Sequence, residues 1–242
     1  MKKLLCLLLL LTLTGCQGDG HKHVYKEADY KNPATCTVCG QTTGERLLAY
    51  FESHGIEPAM KKLNQEYDYR TGLYDEDGIF HACKGTLTVL SDEVSDQNPF
   101  ATALSTDGTY EIRTVEMKMV MADANSNDYG FDYHYLLTSY NDPDGLAASF
   151  HYSEEKGANT FSVLHDGRLW NDCRMLVTVT NDEWQQAEPF WQKTVTLRWQ
   201  LAIPQGYDGL LVGLRSAEIK EGQALDYTDT PNFVLYRVGG NA

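Results

Sequence analysis

Four potential metal ligands lie close together near the start of the chain. They form two pairs, His21 with His23 and Cys36 with Cys39, and Gly40 follows the second pair. Zinc prefers four nitrogen or thiolate ligands in a tetrahedron, and paired ligands on tight turns reach one ion without long loops. A glycine after a Cys-x-x-Cys turn relieves backbone crowding and leaves the next amides free to point at the sulfurs. The spacing therefore predicts a small zinc knuckle held by His21, His23, Cys36 and Cys39.

Two alternatives for the cysteine pair stay open. In an exported protein Cys36 and Cys39 could form a local disulfide, or they could act as a redox Cys-x-x-Cys motif. A redox motif is expected at the N-terminus of a helix in a βαβ unit, and no such pattern follows. A closed four-ligand shell leaves no position for a substrate, so we expect a structural role for the zinc.

The same segment resembles a short motif of exported proteins from low-GC Gram-positive bacteria. That motif has a Cys/His-x-His start, an aromatic residue two positions on, then ATC and CxxCG followed by threonines. The matching residues are His21, His23, Tyr25, Ala34-Thr35-Cys36, Cys39-Gly40 and Thr42-Thr43. The longer spacer usual between the cysteine-containing parts of the motif is missing, so which histidines bind the metal stays open.

The first sixteen residues have the pattern of an export signal. Lys2 and Lys3 precede the apolar run Leu4 to Leu11, and Leu13-Thr14-Gly15-Cys16 ends the segment. A short basic flank and a short apolar core indicate a cleaved signal rather than a membrane span. The last four residues resemble the lipobox of bacterial lipoproteins. The resemblance implies that Cys16 receives a diacylglyceryl group and becomes the new N-terminus, which gives lasting membrane attachment. An ordinary signal with an incidental cysteine is the alternative.

Composition limits the partners of the protein. The 242 residues include 34 acidic and 20 basic side chains, for a formal net charge of −14. Because such a surface repels phosphate backbones, we expect no binding of nucleic acid. No apolar stretch after the signal approaches the roughly 20 residues that a membrane span needs. The predicted location is the cell membrane, with the lipid-anchored chain facing outside the cytoplasm.

Alternating apolar residues predict a mainly β fold after Tyr69. Apolar side chains occupy every second position in four runs, which are 115–121, 131–137, 173–179 and 195–203. Shorter runs at 86–90, 160–164, 210–214 and 233–238 add further strands, and the expected architecture is an antiparallel β-sandwich. The stretch from Trp199 to Leu214 resembles late strands of immunoglobulin-like domains of Gram-positive lipoproteins. This resemblance implies an immunoglobulin-like sandwich, although the Cys…Trp…Cys signature of antibody-type domains is absent.

Apolar residues at three- and four-residue steps between Glu45 and Tyr67 predict two short helices, Glu45 to Ser53 and Glu57 to Glu66. Pro58 fits the first turn of the second helix. The resulting division is a signal peptide (1–15), a lipidated N-terminus with the knuckle (16–44), a helical linker (45–70) and a β-sandwich domain (71–242).

Three polar segments have simpler explanations than a site. The loop Asp123 to Asp128 resembles the start of an EF-hand calcium loop, but Asp128 stands where that family needs glycine and His134 where it needs an acid. A polar hairpin loop is favoured there. Asn141 to Gly145 and Asp75 to Asp77 are each predicted to be turns.

Three function classes compete. We favour a non-catalytic lipoprotein with a recognition or structural role, whose partner is an envelope protein or a glycan. Trp184 and Trp191, beside a predicted loop from Asn181 to Gln192, could stack on sugar faces in a carbohydrate-binding module, although capping of the core is favoured. A cell-envelope hydrolase is the second alternative, but the sequence contains no Gly-x-Ser-x-Gly, His-Glu-x-x-His or phosphate-binding loop. Cys83 and Cys173 are predicted to be buried thiols, with a disulfide between them as the alternative.

Overall fold

The computed structural model describes residues 21–74, 80–106, 109–124, 136–187, 190–215 and 233–239. At 70–74, 80–83, 123–124, 186–187, 190–191 and 215 it describes the backbone alone. Over these ranges the chain is mainly β with antiparallel sheets, as the sequence predicts, and it contains two short helices. Within these residues no helix is long and apolar enough to cross a membrane.

The elements follow one another in this order: β1 (Tyr25–Lys26), β2 (Ala34–Cys36), β3 (Thr42–Thr43), α1 (Tyr50–Ser53), β4 (Tyr67–Tyr74), β5 (Phe80–Ser95), β6 (Tyr110–Ala124), β7 (Leu137–Ser139), α2 (Pro143–Ser149), β8 (His151–Ser153), β9 (Ala158–His165), β10 (Arg168–Ala187), β11 (Phe190–Pro204), β12 (Leu210–Arg215) and β13 (Phe233–Arg237). They form three antiparallel sheets. The strand orders are β1-β2-β3, β4-β5-β6-β11-β10-β9-β8 and β13-β12-β7.

The core lies between the seven-stranded sheet and the sheet β13-β12-β7. In β11 the alternate residues Val195, Leu197, Trp199, Leu201 and Ile203 are completely buried, as their spacing predicts. They share one apolar cluster with residues of the smaller sheet. Burial on one side of the large sheet by the small one gives the domain its stability, because apolar area removed from water is the main favourable term in folding.

The immunoglobulin-like part of the fold prediction is not confirmed. Immunoglobulin domains divide their strands into sheets of similar size, whereas one sheet here contains seven strands and its partner three. The two halves of the large sheet are joined by pairing of β6 with β11, from Tyr110 opposite Pro204 to Ala124 opposite Trp191.

Cys173 is a free, completely buried thiol, as the sequence predicts. Cys83 lies on β5, where only the backbone is described. β5 and β10 are separated by β6 and β11, so the two cysteines are roughly 14 Å apart across the sheet at ordinary strand spacing. A disulfide needs Cα atoms within roughly 7 Å, so the topology disfavours the bridged alternative.

The helix predictions need two corrections. α1 covers only Tyr50–Ser53 of the first predicted helix, and the second, from Glu57 to Glu66, is wrong. There the amide of Met60 donates to the carbonyl of Leu235 at 3.0 Å, so this segment runs along β13 instead of bonding within a helix.

The second helix among the described residues, α2, begins in the segment predicted to be a turn at Asn141 to Gly145. The Asp142 carboxylate caps it by accepting from the Gly145 amide at 2.8 Å, and Pro143 occupies the first turn. Both features are recognised start signals of helices.

The predicted loop from Asn181 to Gln192 is also corrected, because β10 runs to Ala187 and β11 begins at Phe190. The two strands continue in register as a long hairpin, with Trp184 opposite Lys193. The proposed turn at Asp75 to Asp77, residues 131–135 of a predicted strand, and most of the calcium-like loop after Ala124 lie outside the described residues.

Candidate metal centre

The four predicted metal ligands lie together in the structure. The ligand atoms of His21, His23, Cys36 and Cys39 are all within 4.8 Å of one another. Cys36 Sγ is 3.7 Å from His21 Nε2, and Cys39 Sγ is 3.6 Å from His23 Nδ1. Tetrahedral zinc with ordinary Zn–S and Zn–N bond lengths would separate a sulfur and a nitrogen ligand by roughly 3.6 Å. The cluster could therefore hold a metal ion with little rearrangement.

Local backbone geometry explains this convergence. Just before β1, the Val24 carbonyl accepts from the Thr37 amide at 2.9 Å, and the His23 ring stacks on Tyr25 with centroids 5.7 Å apart. Tyr25 is paired with Cys36 on the neighbouring strand β2, which brings the first cysteine to the histidines. Two local strands and one tight turn therefore assemble all four ligands without help from the β domain.

The turn after Cys36 depends on glycine. Gly40 has a φ of +73°, a conformation that residues with a side chain rarely adopt. Its amide donates to the Cys36 carbonyl at 3.0 Å, and the Cys36 amide donates to the Gln41 carbonyl at 2.8 Å. These bonds close the loop that carries Cys39 back toward the cluster, which confirms the turn expected of the Cys-x-x-Cys-Gly sequence.

The electrostatics of the site favour a thiolate. Backbone amides of Cys39 and Val38 point at the Cys36 sulfur and, with His23 and His21, lower the pKa of this thiol to about 5. A metal ion needs the deprotonated sulfur as its ligand. Since Cys36 is already ionised at neutral pH, metal binding there requires little proton release from this residue.

The knuckle, residues 21–43, is attached to the β domain through the turn at Asp29. This buried carboxylate accepts hydrogen bonds from the amides of Lys31 and Asn32 at 2.8 and 2.7 Å. It also accepts from the Gly167 amide in the hairpin between β9 and β10, and these bonds lower its pKa although burial acts to raise it. Lys31 adds an ion pair to Asp208 at 3.0 Å. The knuckle thus has a fixed position on the domain.

Trp184, the other predicted site residue whose side chain the structure describes, does not join the cluster. Trp184 is half-buried on β10, and the Lys193 Nζ lies 4.8 Å from the centroid of its ring. The same Lys193 is paired with Asp182 at 3.3 Å, so a cation covers part of the tryptophan. The side chain of Trp191 and the whole of Cys16 lie outside the described residues.

Sequence reasoning missed a cleft beside the knuckle. It has a volume of about 280 Å³ and is lined by Tyr30, by Asp142 and Leu146 near the start of α2, by the end of β9 and by Tyr207. The capping pattern at Asp142-Pro143 could have revealed α2. No local pattern could reveal that Tyr30 and Tyr207 meet there, because they are far apart along the chain.

Comparison with family models found no match for this chain, and none was found among curated proteins or solved structures.

Proposed function

We propose that this protein is a lipid-anchored, extracytoplasmic and non-catalytic lipoprotein, with a recognition or structural role at the cell envelope. The observation that carries the metal part of this proposal is the convergence of two histidines and two cysteines, with ligand atoms within 4.8 Å of one another. Two thiolates and two imidazoles are a preferred ligand set of structural zinc. His21, His23, Cys36 and Cys39 would fill the four positions, and the ion would stabilise the knuckle.

The short distance in sequence between Cys16 and the knuckle supports the anchoring role. Only residues 17–20 separate the lipobox cysteine from His21, and that length of extended chain spans at most roughly 17 Å between the flanking residues. A lipid on Cys16 would therefore keep the knuckle near the membrane surface. Because the turn at Asp29 attaches the knuckle to the β domain, the β domain would also lie near the membrane, and recognition would occur there.

Mass spectrometry tests the anchor. The wild-type chain, expressed in a bacterium with a lipoprotein pathway, is expected to lose residues 1–15 and to carry a diacylglyceryl group on Cys16. Cys16→Ala should abolish both changes, and Cys173→Ala serves as the matched control that keeps them. A diacylglyceryl group on the Cys16→Ala chain would contradict this assignment.

Elemental analysis tests the metal. About one zinc per chain is expected, since the four ligands complete a single four-coordinate shell. A protein that binds no zinc, with Cys36 and Cys39 joined by a disulfide on a non-reducing mass map, would replace the zinc proposal by the local-disulfide alternative.

The finer likeness to immunoglobulin-like domains remains a prediction and contributes nothing to this proposal. Carbohydrate binding by Trp184 and Trp191 is the first alternative, but the Lys193 ammonium and the ring of Trp184 already interact. Glycan-array binding that is lost in Trp184→Ala would favour that alternative. A hydrolase is the second alternative, and turnover of an envelope glycan or peptide substrate would favour it.

A further inference from the structure

The cleft beside the knuckle combines an apolar interior with one unpaired carboxylate. Its walls are formed by Leu146 and Val163, both buried, and by Leu164, while Leu169 lies exposed at the edge. Aromatic surface comes from Tyr30 on the knuckle and Tyr207 on the domain. A largely apolar pocket with a few convergent polar groups is the usual form of a site for a small molecule.

Most polar groups of the cleft are already used within the protein. The Ser139 hydroxyl accepts from the Asn141 and Asp142 amides at 3.2 and 3.0 Å. The Ser162 hydroxyl donates to the Asn171 side chain at 3.1 Å. Tyr207 is buried, and hydrogen bonds join its side chain to Ser139 and Asn141. These groups shape the wall, and they leave little hydrogen-bonding capacity for a polyhydroxylated ligand.

Asp142 differs from these groups because, among the described residues, only one of its two carboxylate oxygens accepts a hydrogen bond. Its Oδ1 accepts from the Gly145 amide at 2.8 Å, and in the described part of the chain no ion pair reaches the carboxylate. Among the described residues that line the cleft, it is the one aspartate, and no glutamate, lysine, arginine or histidine stands beside it in the lining. The nearby Lys31 forms an ion pair with Asp208 instead. A ligand with a positive charge would complement this arrangement.

Tyr30 supplies the second element of recognition. It lines the cleft and is half-buried. Burial, together with the charge of Asp142, raises the pKa of Tyr30, so its hydroxyl stays protonated and its ring stays neutral. An aromatic face beside a carboxylate attracts an ammonium group through the ring quadrupole, and the attraction grows as water is excluded.

We propose that this cleft binds a small organic ammonium compound, with the cation between the Tyr30 ring and Asp142 and an aliphatic body against Leu146 and Val163. The site does not depend on the proposed zinc. The turn that carries Tyr30 is held to the β domain by Asp29 at Gly167 and by Lys31 at Asp208, and neither contact involves the metal ligands.

Calorimetric titration with choline tests the proposal, and neohexanol, in which carbon replaces the ammonium nitrogen of choline, is the matched uncharged probe. Choline is expected to bind with a Kd below about 10 mM and neohexanol at least about tenfold more weakly. Glucose tests the competing polyhydroxyl ligand. Tighter binding of glucose than of choline, or no choline binding in this range, would overturn the proposal.

Two substitutions of acidic residues test whether the Asp142 carboxylate binds the cation. Asp142→Asn removes the charge but keeps a good helix cap, so the helix should remain, and choline affinity should fall about fivefold. Asp144→Asn, on the same helix but outside the cleft lining, should leave it unchanged. Thermal unfolding confirms that both variants fold. Equal choline affinities in the two variants would overturn the assignment.

Removal of metal by a chelator tests whether the ammonium site depends on the proposed zinc. A metal-free protein that still binds choline would support both the ammonium site and its independence from zinc. Loss of choline binding on chelation, restored by added zinc, would overturn that independence.

Discussion

Cys36, the last residue of β2, and His21, four residues before β1, meet with their ligand atoms, Sγ and Nε2, 3.7 Å apart. The separation is close to one edge of a zinc tetrahedron, roughly 3.6 Å. Because Tyr25 pairs with Cys36 across β1 and β2, the register of these two short strands determines that distance. A metal would then stabilise the pairing, and the pairing would preorganise the metal ligands.

Replacement of one thiolate should remove the metal. Cys36→Ser is expected to lower the bound zinc from about one per chain to a small fraction, because a serine hydroxyl is not deprotonated at neutral pH. Competition with a chromogenic chelator measures the change. Cys173→Ala removes a thiol from the core instead, and it should keep the full zinc content. Equal zinc in wild type and Cys36→Ser would contradict the role of this cysteine.

The buried Arg174 depends on Asp172 for its charge balance. Asp172 Oδ2 accepts from Arg174 Nη2 at 2.9 Å, and Lys156 Nζ lies 2.6 Å from Oδ1. Burial acts to raise the pKa of Asp172, but the hydrogen bonds from Arg174 and Lys156 prevail and lower it to about 2. At neutral pH, Asp172→Asn should cost about 3 kcal/mol of unfolding free energy, because Arg174 stays buried without its partner.

The pH dependence of this effect has a definite sign. The folded pKa of Asp172 lies below the unfolded value, so its ionisation contributes about 2 kcal/mol that is fully present above about pH 4. This contribution is lost as the pH falls toward 2. Denaturant unfolding at several pH values should show the curves of wild type and Asp172→Asn converging toward pH 2. Glu57→Gln, in an exposed pair with Lys61, should change stability by about 0.5 kcal/mol or less at any pH.

The sequence predicted the parts of the structure that depend on neighbouring residues. Strand β11 followed from the alternation of Val195 to Ile203, because each residue faces the core or the opposite side by its position alone. The metal cluster followed for the same reason, since two local strands and one turn bring its ligands together. Such features need no knowledge of distant contacts.

Distant contacts explain the failures. The segment from Glu57 to Glu66 has helical spacing, but its Met60 amide bonds to Leu235 in β13, a partner that no local pattern indicates. The polar residues between Asn181 and Gln192 suggested a loop, yet the hairpin of β10 and β11 continues through them. The cleft was missed because Tyr30, Asp142 and Tyr207 meet only after the knuckle docks.

The docking of the knuckle depends on a glycine. Gly167 has a φ of +63°, and a Cβ atom there would lie 2.5 Å from the Glu27 carbonyl oxygen. Gly157 has nearly the same φ, +60°, but a Cβ would lie at an acceptable 3.4 Å from the Ala101 Cβ. Gly157→Ala is therefore expected to cost about 1 kcal/mol through backbone strain alone.

Gly167→Ala should cost more than Gly157→Ala and should also displace the knuckle. Hydrogen exchange provides the specific measurement, because the amides of Lys31 and Asn32 are protected by Asp29, which in turn binds Gly167. These two amides should exchange faster in Gly167→Ala and be unchanged in Gly157→Ala. Equal exchange in both variants would show that the contact with Gly167 does not hold the turn.

Chelation should loosen the knuckle in part. Residues around Cys36 and Cys39 contribute little apolar area to the core, and Val24 and Val38 are exposed, so the metal would supply most of the folding energy there. The Asp29 turn has its own contacts with the β domain, and β11 lies in the core of that domain. We therefore expect chelation to speed exchange at the amides of Cys36, Thr37 and Gly40, while those of Lys31 and Asn32 and the strand β11 stay protected.

The same hydrogen-exchange experiment contains its own control. Cys36→Ser without chelator should reproduce the chelated pattern, because both treatments remove the metal and leave Asp29 in place. Protection of the Cys36 and Gly40 amides that is the same with and without chelator would contradict a metal-dependent knuckle. Faster exchange in β11 after chelation would contradict the independence of the β domain from the knuckle, and would mean that the metal also stabilises the β domain through the turn at Asp29.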